Sequence, residues 1–263
     1  MYIDETDSTN SLMQRLLRGE EQRYAACLEE NIPLLYTTFQ TAGRGQSGNG
    51  WEAERGKNLL LTYLLREPET KATEQFRLNI IASVVTHRTV LQWLPAEQQA
   101  MLQIKWPNDI YFGDRKIAGI LVENSLSGNI VKQSITGIGI NINQEHWVGN
   151  APNPVSLKQI TGKDTDIEDV MHTFSTMLRD TLSWKAEQCK SYYMHHLYRR
   201  EGSWLFAERE VSTTPTRIVR ADEGQLTFEA QIRDISENGT LCLQATGETA
   251  IRNYHFKQIQ FVL

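Results

Sequence analysis

Cysteine is scarce in this chain, since Cys27, Cys189 and Cys242 are the three cysteines in 263 residues. The number is odd and the spacing contains no CxxC pair, so the pattern favours reduced structural thiols over a disulfide framework or a zinc site. Long apolar runs are also missing. The longest, such as residues 59–65 and 79–85, fall short of the roughly 18–20 residues that a membrane-spanning helix needs. The sequence therefore predicts no membrane-spanning helix and no membrane partner.

Positive charge is in slight deficit, since 27 Lys and Arg stand against 32 Asp and Glu and give a net charge of −5 at pH 7. Nucleic-acid-binding proteins usually carry a basic excess or a basic patch. The balance argues weakly against general nucleic-acid binding and leaves a local basic patch open, and we expect no nucleic acid among the partners. The first ten residues contain no Lys or Arg and lack the basic and apolar regions of a secretory signal. We therefore expect a cytoplasmic protein.

The sequence does have enough apolar material for a core, with 40% hydrophobic and 22% charged residues. At about 100–200 residues per domain, the length suggests one large domain, alone or with a small one. Ser8-Thr9-Asn10 ahead of an apolar periodicity predicts a capped helix that ends near Gly19. The remaining pattern predicts strands over 34–39 and 58–65, a helix over 76–93, strands over 102–106, 109–112, 117–124 and 130–142, a loop over 149–163 and a long helix from Asp166 to about Arg200.

The short spacing of the four middle strands favours antiparallel hairpins. After about residue 210 the pattern changes to short alternating segments over 225–232, 240–244 and 258–263, which is typical of a small all-β module such as an SH3-like barrel. We predict an α+β fold with two domains. A mixed, largely antiparallel sheet with helices would occupy residues 1–209, and a small C-terminal SH3-like β-barrel would occupy residues 210–263.

The stretch from Gly43 to Trp51 is the first candidate functional motif, and its opening contains a GxGxxG pattern. A dinucleotide-binding turn leads directly into a helix, whereas glycines at 48, 50 and 56 disfavour a helix here. We therefore interpret the stretch as a mobile loop. Its backbone N–H groups and Arg44 suit phosphate oxygens, and a plain surface hairpin is the alternative.

The second motif is Lys105-Trp106-Pro107-Asn108-Asp109, which is followed by Lys116-Ile117-Ala118-Gly119-Ile120-Leu121. Pro107 stiffens the turn between two strands and holds Asn108 and Asp109 at a strand end. An Asp beside two lysines suggests ion chemistry, although a β-turn with solvated lysines also fits. The third motif is Gly137-Ile138-Gly139-Ile140-Asn141. Glycines inside an apolar strand indicate close approach of a ligand or another backbone, or simply tight packing.

Together, these motifs resemble the biotin protein ligase family. The chain carries, in the family's order, Asp-Ser-Thr-Asn at 7–10, Gln40 ahead of a GRG loop that ends in Trp51, KWPND at 105–109, KxAGIL at 116–121 and GxGxN at 137–141. The likeness covers essentially the whole chain. It implies a class II synthetase-like biotin/lipoate ligase catalytic domain followed by the small β-barrel, in the monofunctional type of the family that lacks an N-terminal DNA-binding domain.

The resemblance implies a two-step reaction. The carboxylate of biotin attacks the α-phosphate of ATP to give biotinyl-5′-AMP and pyrophosphate, and the biotinyl group then passes to a lysine of a biotin carboxyl carrier protein. Because a carboxylate and a triphosphate are both anions, cationic groups and Mg²⁺ must neutralise charge in the transition state. Matching motif to motif, the resemblance assigns the catalytic roles to Arg44, Lys116 and Asp109.

Roles toward the substrates carry over in the same way. The implied biotin-binding positions are Ser8, Thr9, Asn10, Gln40, Arg44, Gly45, Gln46, Lys116 and Gly119. The implied ATP-binding positions are Arg44, Gln46, Asn49, Trp51, Asn108, Lys116 and Asn141. Asp109 and Asn141 would hold Mg²⁺, directly or through water, although Asp109 could instead orient the incoming lysine. Helix capping is the alternative for Ser8 and Thr9.

The Gly43–Trp51 loop would act as a lid, because the mixed anhydride hydrolyses readily and needs protection from water. In this interpretation Trp51 packs over the ligand, and Trp106 belongs to the core. Many relatives carry further arginines in this loop, whereas this chain has Gln46 and Asn49 at the matching positions. We therefore expect a weaker electrostatic hold on the adenylate.

Three other functions compete with this reading. A lipoate-type ligase shares the fold, and a non-catalytic biotin or nucleotide sensor would keep the pocket without the reaction. A bifunctional repressor would need a helix-turn-helix, but only seven residues precede Ser8, so we expect no DNA binding by that route. The sequence leaves both a monomer and a homodimer open and does not identify the carboxylase that supplies the acceptor.

Overall fold

The computed structural model describes residues 1–68, 70–149, 153–208, 219–220 and 226–262. Its first sheet has the spatial order β1-β2-β6-β5-β4-β3, and all neighbouring strands are antiparallel. The prediction of an α+β fold with a largely antiparallel sheet is confirmed. The strands are β1 (Leu34–Thr37), β2 (Asn58–Arg66), β3 (Leu102–Lys105), β4 (Asp109–Phe112), β5 (Arg115–Ser127) and β6 (Ile130–Asn141).

The helices that accompany this sheet are α1 (Thr9–Leu17), α2 (Phe76–Leu91), α3 (Leu157–Thr161), α4 (Ile167–Leu182) and α5 (Ala186–His195). Helix α2 is apolar on most of its surface and packs against the sheet, α4 and α5. Helix α4 is amphipathic and buries Val170, Phe174 and Leu178, as expected for a helix with one face on a core. Within the described residues, no helix has both the length and the apolar character needed to cross a bilayer.

The two faces of the first sheet bury different clusters. Because side chains alternate along a strand, Leu61 and Tyr63 of β2 join the main core with α2 and α4. Leu64 points the other way and packs with Leu12 and Met13 of α1 in a second cluster. Helix α1 therefore covers the face of the sheet opposite to α2.

Two sequence predictions in this unit are wrong. The predicted loop over 149–163 contains helix α3, which begins with a capping box: Ser156 Oγ accepts from the backbone N–H of Gln159 at 3.2 Å, and Gln159 Oε1 accepts from that of Ser156 at 3.1 Å. Residues 150–152 of that stretch lie outside the described part of the chain. The long helix predicted from Asp166 to about Arg200 is two helices, because Lys185 begins a new one with its N–H bound to Gln188 Oε1 at 2.8 Å.

The second sheet contains β7 (Trp204–Glu208), β8 (Val219–Arg220), β9 (Leu226–Ile235), β10 (Leu241–Ala245), β11 (Ile251–Tyr254) and β12 (Ile259–Phe261). Its order is β11-β10-β9-β7-β12, with β8 beside β9. The sheet has the form of a small barrel that is not closed within the described residues. The predicted strands near 225–232, 240–244 and 258–263 are found, with shifted ends, whereas β7, β8 and β11 were not predicted. Strand β7 pairs with β9, so residues 204–208 belong to this sheet although they precede the predicted domain boundary at residue 210.

Candidate active site

The candidate site is built on one face of β6. Positions 137, 139 and 141 share a face because side chains alternate, and it is the face that α1 covers. Gly137 lies under Asn10 of α1, so that a Cβ there would be 2.9 Å from Asn10 Cγ. Gly139 lies under Trp51, and a Cβ there would be 2.6 Å from Trp51 Cζ2. We call this row of Gly137, Gly139 and Asn141 the β6 strip.

The neighbouring strand extends the floor under the same indole. Gly119 of β5 pairs directly with Gly139, and a Cβ at Gly119 would be 2.7 Å from Trp51 Cζ3. The glycines are therefore needed where the ring approaches the backbone, as the sequence had suggested for this motif. The Nε1 atom of Trp51 is buried and has no hydrogen-bond partner among the described residues.

A polar network lies at the Gly137 end of the strip. Ser8, Thr9 and Asn10 are all buried. Gln40 Oε1 accepts from the backbone N–H of Thr9 at 2.8 Å and from Thr9 Oγ1 at 3.1 Å. Thr62 Oγ1 lies 2.8 Å from Thr9 Oγ1 and 2.6 Å from Asn10 Oδ1. The structure thus brings Thr9, Asn10 and Gln40 together.

Ser8 occupies the N-cap position of α1, but its side chain makes no capping hydrogen bond. The backbone N–H of Ser8 instead donates to Asp7 Oδ1 at 2.8 Å. Asp7 is held by Arg15 through two nitrogens at 2.8 and 2.9 Å, and this guanidinium keeps the pKa of Asp7 well below its usual range. Of the two predicted roles for Ser8, side-chain capping is wrong, and biotin binding stays a prediction.

An ion pair lies beside the indole on the side of Gly119. Lys116 Nζ is 2.7 Å from Asp109 Oδ1, and both side chains are largely buried, with 27% and 22% of their surfaces exposed. The ammonium is also 5.5 Å from the centroid of the Trp51 ring. The backbone of Lys116 is held by neighbouring segments, since its N–H donates to Asn153 O and its carbonyl accepts from Val155, both at 2.9 Å.

Lys105 and Asn108 are engaged elsewhere. Lys105 Nζ donates to Tyr111 Oη at 2.9 Å, and burial lowers the pKa of Lys105. Asn108 Nδ2 donates to the carbonyl of Ile120, while its own carbonyl accepts from Ile120 N at 3.0 Å. Asn108 therefore ties β4 to β5, and its ATP role stays a prediction. Trp106 is a core residue as predicted, with Nε1 donating to Gly239 O at 3.0 Å.

Asn141 ends the β6 strip beside the backbone of Lys116. Its Nδ2 donates to Lys116 O at 3.3 Å and to Val155 O at 3.1 Å. These bonds orient the amide, and Oδ1 is buried with no hydrogen-bond partner in the part of the chain that the structure describes. A carboxamide oxygen and the carboxylate of Asp109 suit Mg²⁺. Because no three His, Cys, Asp or Glu side chains cluster as a metal site within the described ranges, phosphates and water would supply the remaining ligands.

The Gly43–Trp51 loop folds back on itself over this floor. The backbone N–H of Gly45 donates to Asn49 O at 2.7 Å, and that of Trp51 donates to Gly43 O at 2.9 Å. Between them, residues 46–48 form a single 3₁₀ turn. Gln46 Oε1 is buried without a hydrogen-bond partner in the described structure. The Arg44 guanidinium pairs with Glu123 at 2.6 Å, so its predicted phosphate role is not visible in these contacts and stays a prediction.

Two site residues were missed by sequence reasoning, namely Thr62 and Glu123. Thr62 belongs to β2 and lies within an apolar run, directly between Leu61 and Tyr63. Glu123 directly follows the apolar segment 117–122. An acidic residue at that position interrupts the buried pattern and could have indicated a functional side chain. Both belong to strands rather than to the motifs, and their partners are distant in sequence.

Comparison with known proteins places these features in a family. The sequence model of the Biotin/lipoate A/B protein ligase family matches residues 20–141. The bifunctional ligase/repressor BirA of Escherichia coli is 36% identical over 244 residues, which are 92% of this chain and 68% of that protein. The protein of that name from Bacillus subtilis is 31% identical over 159 residues, or 57% of this chain. That match spans only 47%, or about half, of the Bacillus protein.

Among solved structures, the biotin protein ligase of Aquifex aeolicus in complex with biotin and ATP has a TM-score of 0.67 to this chain, with 24% identity. The match covers 100% of this chain and 98% of the other. At that identity the likeness shows a shared fold. The match to the E. coli protein covers most of both sequences and therefore shows the family. The chain belongs to the biotin protein ligases of the biotin/lipoate A/B protein ligase family.

Proposed function

We propose that this chain activates biotin with ATP as biotinyl-5′-AMP and transfers the biotinyl group to a lysine of a biotin carboxyl carrier protein. The observation that carries the proposal is the continuity of the β6 strip. Asn10 covers its first position, Trp51 its second, and its third is the Asn141 that contacts the backbone of Lys116. The β6 strip therefore has a polar network suited to a neutral ring at one end and a lysine suited to phosphate at the other.

In the first step, a carboxylate oxygen of biotin attacks the α-phosphorus of ATP, and the bond from that phosphorus to the bridging oxygen breaks with release of pyrophosphate. The network of Thr9, Asn10 and Gln40 would bind the ureido ring. Lys116 would neutralise the negative charge where the two anions meet, in a largely buried position where such contacts are strong. Asp109 positions the Lys116 ammonium. Bound Mg²⁺, held by Asp109 and Asn141, would supply further charge neutralisation.

In the second step, the neutral ε-amine of the acceptor lysine attacks the acyl carbon, the bond from that carbon to the adenylate oxygen breaks, and AMP leaves as the amine loses a proton. Until the acceptor arrives, the mixed anhydride has to be kept from water. Trp51, which lies against Gly119 and Gly139, supports a covering role for the loop. Asp109 is also the candidate to orient the amine, because it lies at the same end of the strip as Lys116.

The test of the proposed function is biotin-dependent exchange of labelled pyrophosphate into ATP by the whole chain. We expect exchange with biotin and none with lipoate, followed by labelling of a carrier domain on its lysine. Exchange with lipoate alone would establish the lipoate-type ligase instead. Tight biotin binding with no exchange under any condition would establish the non-catalytic sensor.

Location and assembly stay predictions. All three cysteines are buried free thiols, which is compatible with the cytoplasmic location expected from the sequence. A monomer and a homodimer both remain open, and the carrier protein is proposed by chemical class alone. Sedimentation of the chain with and without biotin would determine the oligomeric state.

A further inference from the structure

Glu123 is the side chain on which the loop and the first helix of the site converge. Its carboxylate accepts from Arg44 through two nitrogens, Nη2 to Oε1 at 2.6 Å and Nη1 to Oε2 at 3.3 Å. Oε2 also accepts from Asn10 Nδ2 at 2.8 Å and from Gln14 Nε2 at 3.3 Å. One residue of β5 therefore contacts the Gly43–Trp51 loop and α1 at the same time.

Arg44 reaches the same point from the loop. Its Nη1 also donates to Ser11 Oγ of α1 at 3.4 Å, and its backbone forms an antiparallel bridge with Gly50. Gly50 is the residue before Trp51, so holding Arg44 also fixes the arm of the loop that carries the indole. The chain of contacts runs from Glu123 through Arg44 and Gly50 to the ring that covers the β6 strip.

The strength of this contact suits a loop that has to open and close. A guanidinium held by a carboxylate through two bonds has a defined geometry as well as charge assistance. The two side chains are 41% and 26% exposed, so water screens their attraction and reduces its net contribution. Glycines at 43, 45, 48 and 50 give the released loop conformational entropy. The ion pair therefore biases the loop toward the closed position without locking it.

We propose that Glu123 is a positioning residue for adenylation, which holds Arg44 against α1 and so keeps the Gly43–Trp51 loop closed over the β6 strip. It acts through Arg44 and Asn10 and does not touch the reacting atoms. The proposal rests on the function proposed above and adds control of the loop to it. It also gives Arg44 a role that can be separated from phosphate binding, since a guanidinium engaged by Glu123 steadies the loop rather than the transition state.

The first test is amide hydrogen exchange of the whole chain without any substrate. We expect Glu123→Gln to accelerate exchange in peptides covering residues 43–51 by about tenfold, which corresponds to about 1.4 kcal/mol. Peptides covering β6 should exchange as in the wild type, because general destabilisation would accelerate them too. Glu20→Gln is the matched control, since it removes a carboxylate from an exposed pair with Arg18 at the C-terminal end of α1, and it should leave residues 43–51 unchanged.

The second test uses pyrophosphate exchange. Glu123→Gln should raise the KM for biotin about tenfold, while kcat changes by less than about threefold, because an open loop weakens binding before it affects chemistry. Arg44→Gln should produce the same change in amide exchange, and the double variant should add nothing to either single variant.

Two outcomes would overturn the assignment of Glu123. One is loop amide exchange in Glu123→Gln that equals the wild type. The other is full additivity of the Arg44 and Glu123 variants in the loop exchange rate, which would show that the two side chains act independently. A wild type without biotin-dependent pyrophosphate exchange would defeat the proposed function, whereas the amide exchange test would still decide whether Glu123 holds the loop.

Discussion

Lys116 is a cation of the site that is held at both its backbone and its ammonium. Its backbone is held on both sides by residues 153 and 155, and its ammonium lies between Asp109 and the Trp51 ring. A lysine that only occupied the protein surface would not need contacts that hold both its backbone and its ammonium. The side chain is therefore not a freely solvated lysine, and its catalytic role stays a prediction.

Lys116→Ala should reduce single-turnover adenylate formation by about 10- to 150-fold, because a charge-assisted contact is worth about 1.5–3 kcal/mol. The fold should survive, since the side chain projects from the strand β5 rather than into the main core. Lys71→Ala, which removes an exposed lysine paired with Glu74, is the control. A wild-type rate of adenylate formation in the Lys116 variant, with an unchanged circular dichroism spectrum, would show that Lys116 is an ordinary surface lysine.

Gln46 occupies the loop position where the family resemblance leads us to expect an arginine, and its Oε1 is buried without a partner in the described structure. Gln46→Arg should slow the release of biotinyl-5′-AMP about tenfold, since charged hydrogen bonds are roughly twice as strong as neutral ones. The off-rate can be measured by rapid dilution of preformed adenylate. An unchanged off-rate, with equal protection of the loop from trypsin with and without biotin, would mean that packing of Trp51 holds the loop instead.

At the scale of residues, the sequence predicted which motifs matter but not how they contact one another. The motifs drew attention to Arg44, Lys116 and Asp109, and the family resemblance assigned them catalytic roles that stay predictions. The sequence could not show that Lys116 pairs with Asp109, because the alternative of two solvated lysines has the same spacing. The contact of Arg44 with Glu123 joins positions 79 apart in the chain, and it depends on the tertiary position of the loop. Contacts of this kind follow from packing and leave no local pattern.

At the scale of elements, the strand pair β5–β6 and the loop above it form one packed unit. The cross-strand pair of Gly119 and Gly139 removes two side chains where the indole sits. Neither glycine needs a left-handed backbone, since only the lack of a Cβ is used here. Replacing one of them changes packing without straining the strand.

Gly139→Ala should push Trp51 away from the strip, because the added Cβ would lie 2.6 Å from Trp51 Cζ2. Overpacking of this kind typically costs about 1–3 kcal/mol. We expect faster trypsin cleavage near Arg44 and Arg55 and a several-fold higher KM for biotin. Gly50→Ala is the matched control, since among the described residues a Cβ there meets nothing closer than 3.7 Å. Equal cleavage rates in both variants would show that the indole does not depend on the glycine floor.

The elements that the sequence predicted well are those with clear turn or capping residues at their ends. Strand β4 was predicted with its observed ends, and the helix predicted to be capped within Ser8-Thr9-Asn10 and to end near Gly19 is α1 over Thr9–Leu17. Helix α3 was missed because Gly149, Pro152 and Pro154 nearby indicated a loop, although Ser156 and Gln159 have capping-box spacing. The break between α4 and α5 was missed because residues 183–185 contain neither Gly nor Pro. There, side-chain hydrogen bonds end and restart the helix, and periodicity does not report them.

At the scale of the whole molecule, the charge balance bears on whether the chain binds nucleic acid. The chain carries a net charge of −5, and several of its described cations are engaged in ion pairs such as Arg15–Asp7 and Arg88–Asp180. We expect no salt-dependent affinity of this 263-residue chain for duplex DNA at physiological ionic strength. Fluorescence anisotropy with labelled duplexes tests this, and nanomolar binding to any operator would contradict it.

Stability of the whole molecule should depend on a buried histidine cluster away from the site. His87 is fully buried between α2, β3 and α5, with Nε2 at 3.0 Å from Leu102 O and Nδ1 at 2.9 Å from Tyr192 Oη. Since a carbonyl can only accept, Nε2 carries the proton and Nδ1 accepts from the Tyr192 hydroxyl. Both nitrogens are satisfied in the neutral ring, and burial lowers the pKa of His87 to about 3. The ring of His196 lies 4.5 Å away, and burial lowers its pKa as well.

The sign of the resulting pH dependence follows from proton binding. Between about pH 6.5 and pH 3 the unfolded chain binds a proton at His87 that the native chain does not, so the free energy of unfolding falls as the pH falls. At up to about 1.4 kcal/mol per pH unit, we expect the free energy of unfolding, measured with urea, to fall by about 2 kcal/mol between pH 7.5 and pH 5.0.

His87→Gln should abolish most of this loss, whereas His172→Gln, on the exposed side of α4, should keep it. Because the pKa of Asp7 is also lowered, its contribution is lost only as the pH falls below about 4 and does not enter this window. A His87 variant with the pH dependence of the wild type would show that the acid sensitivity arises elsewhere.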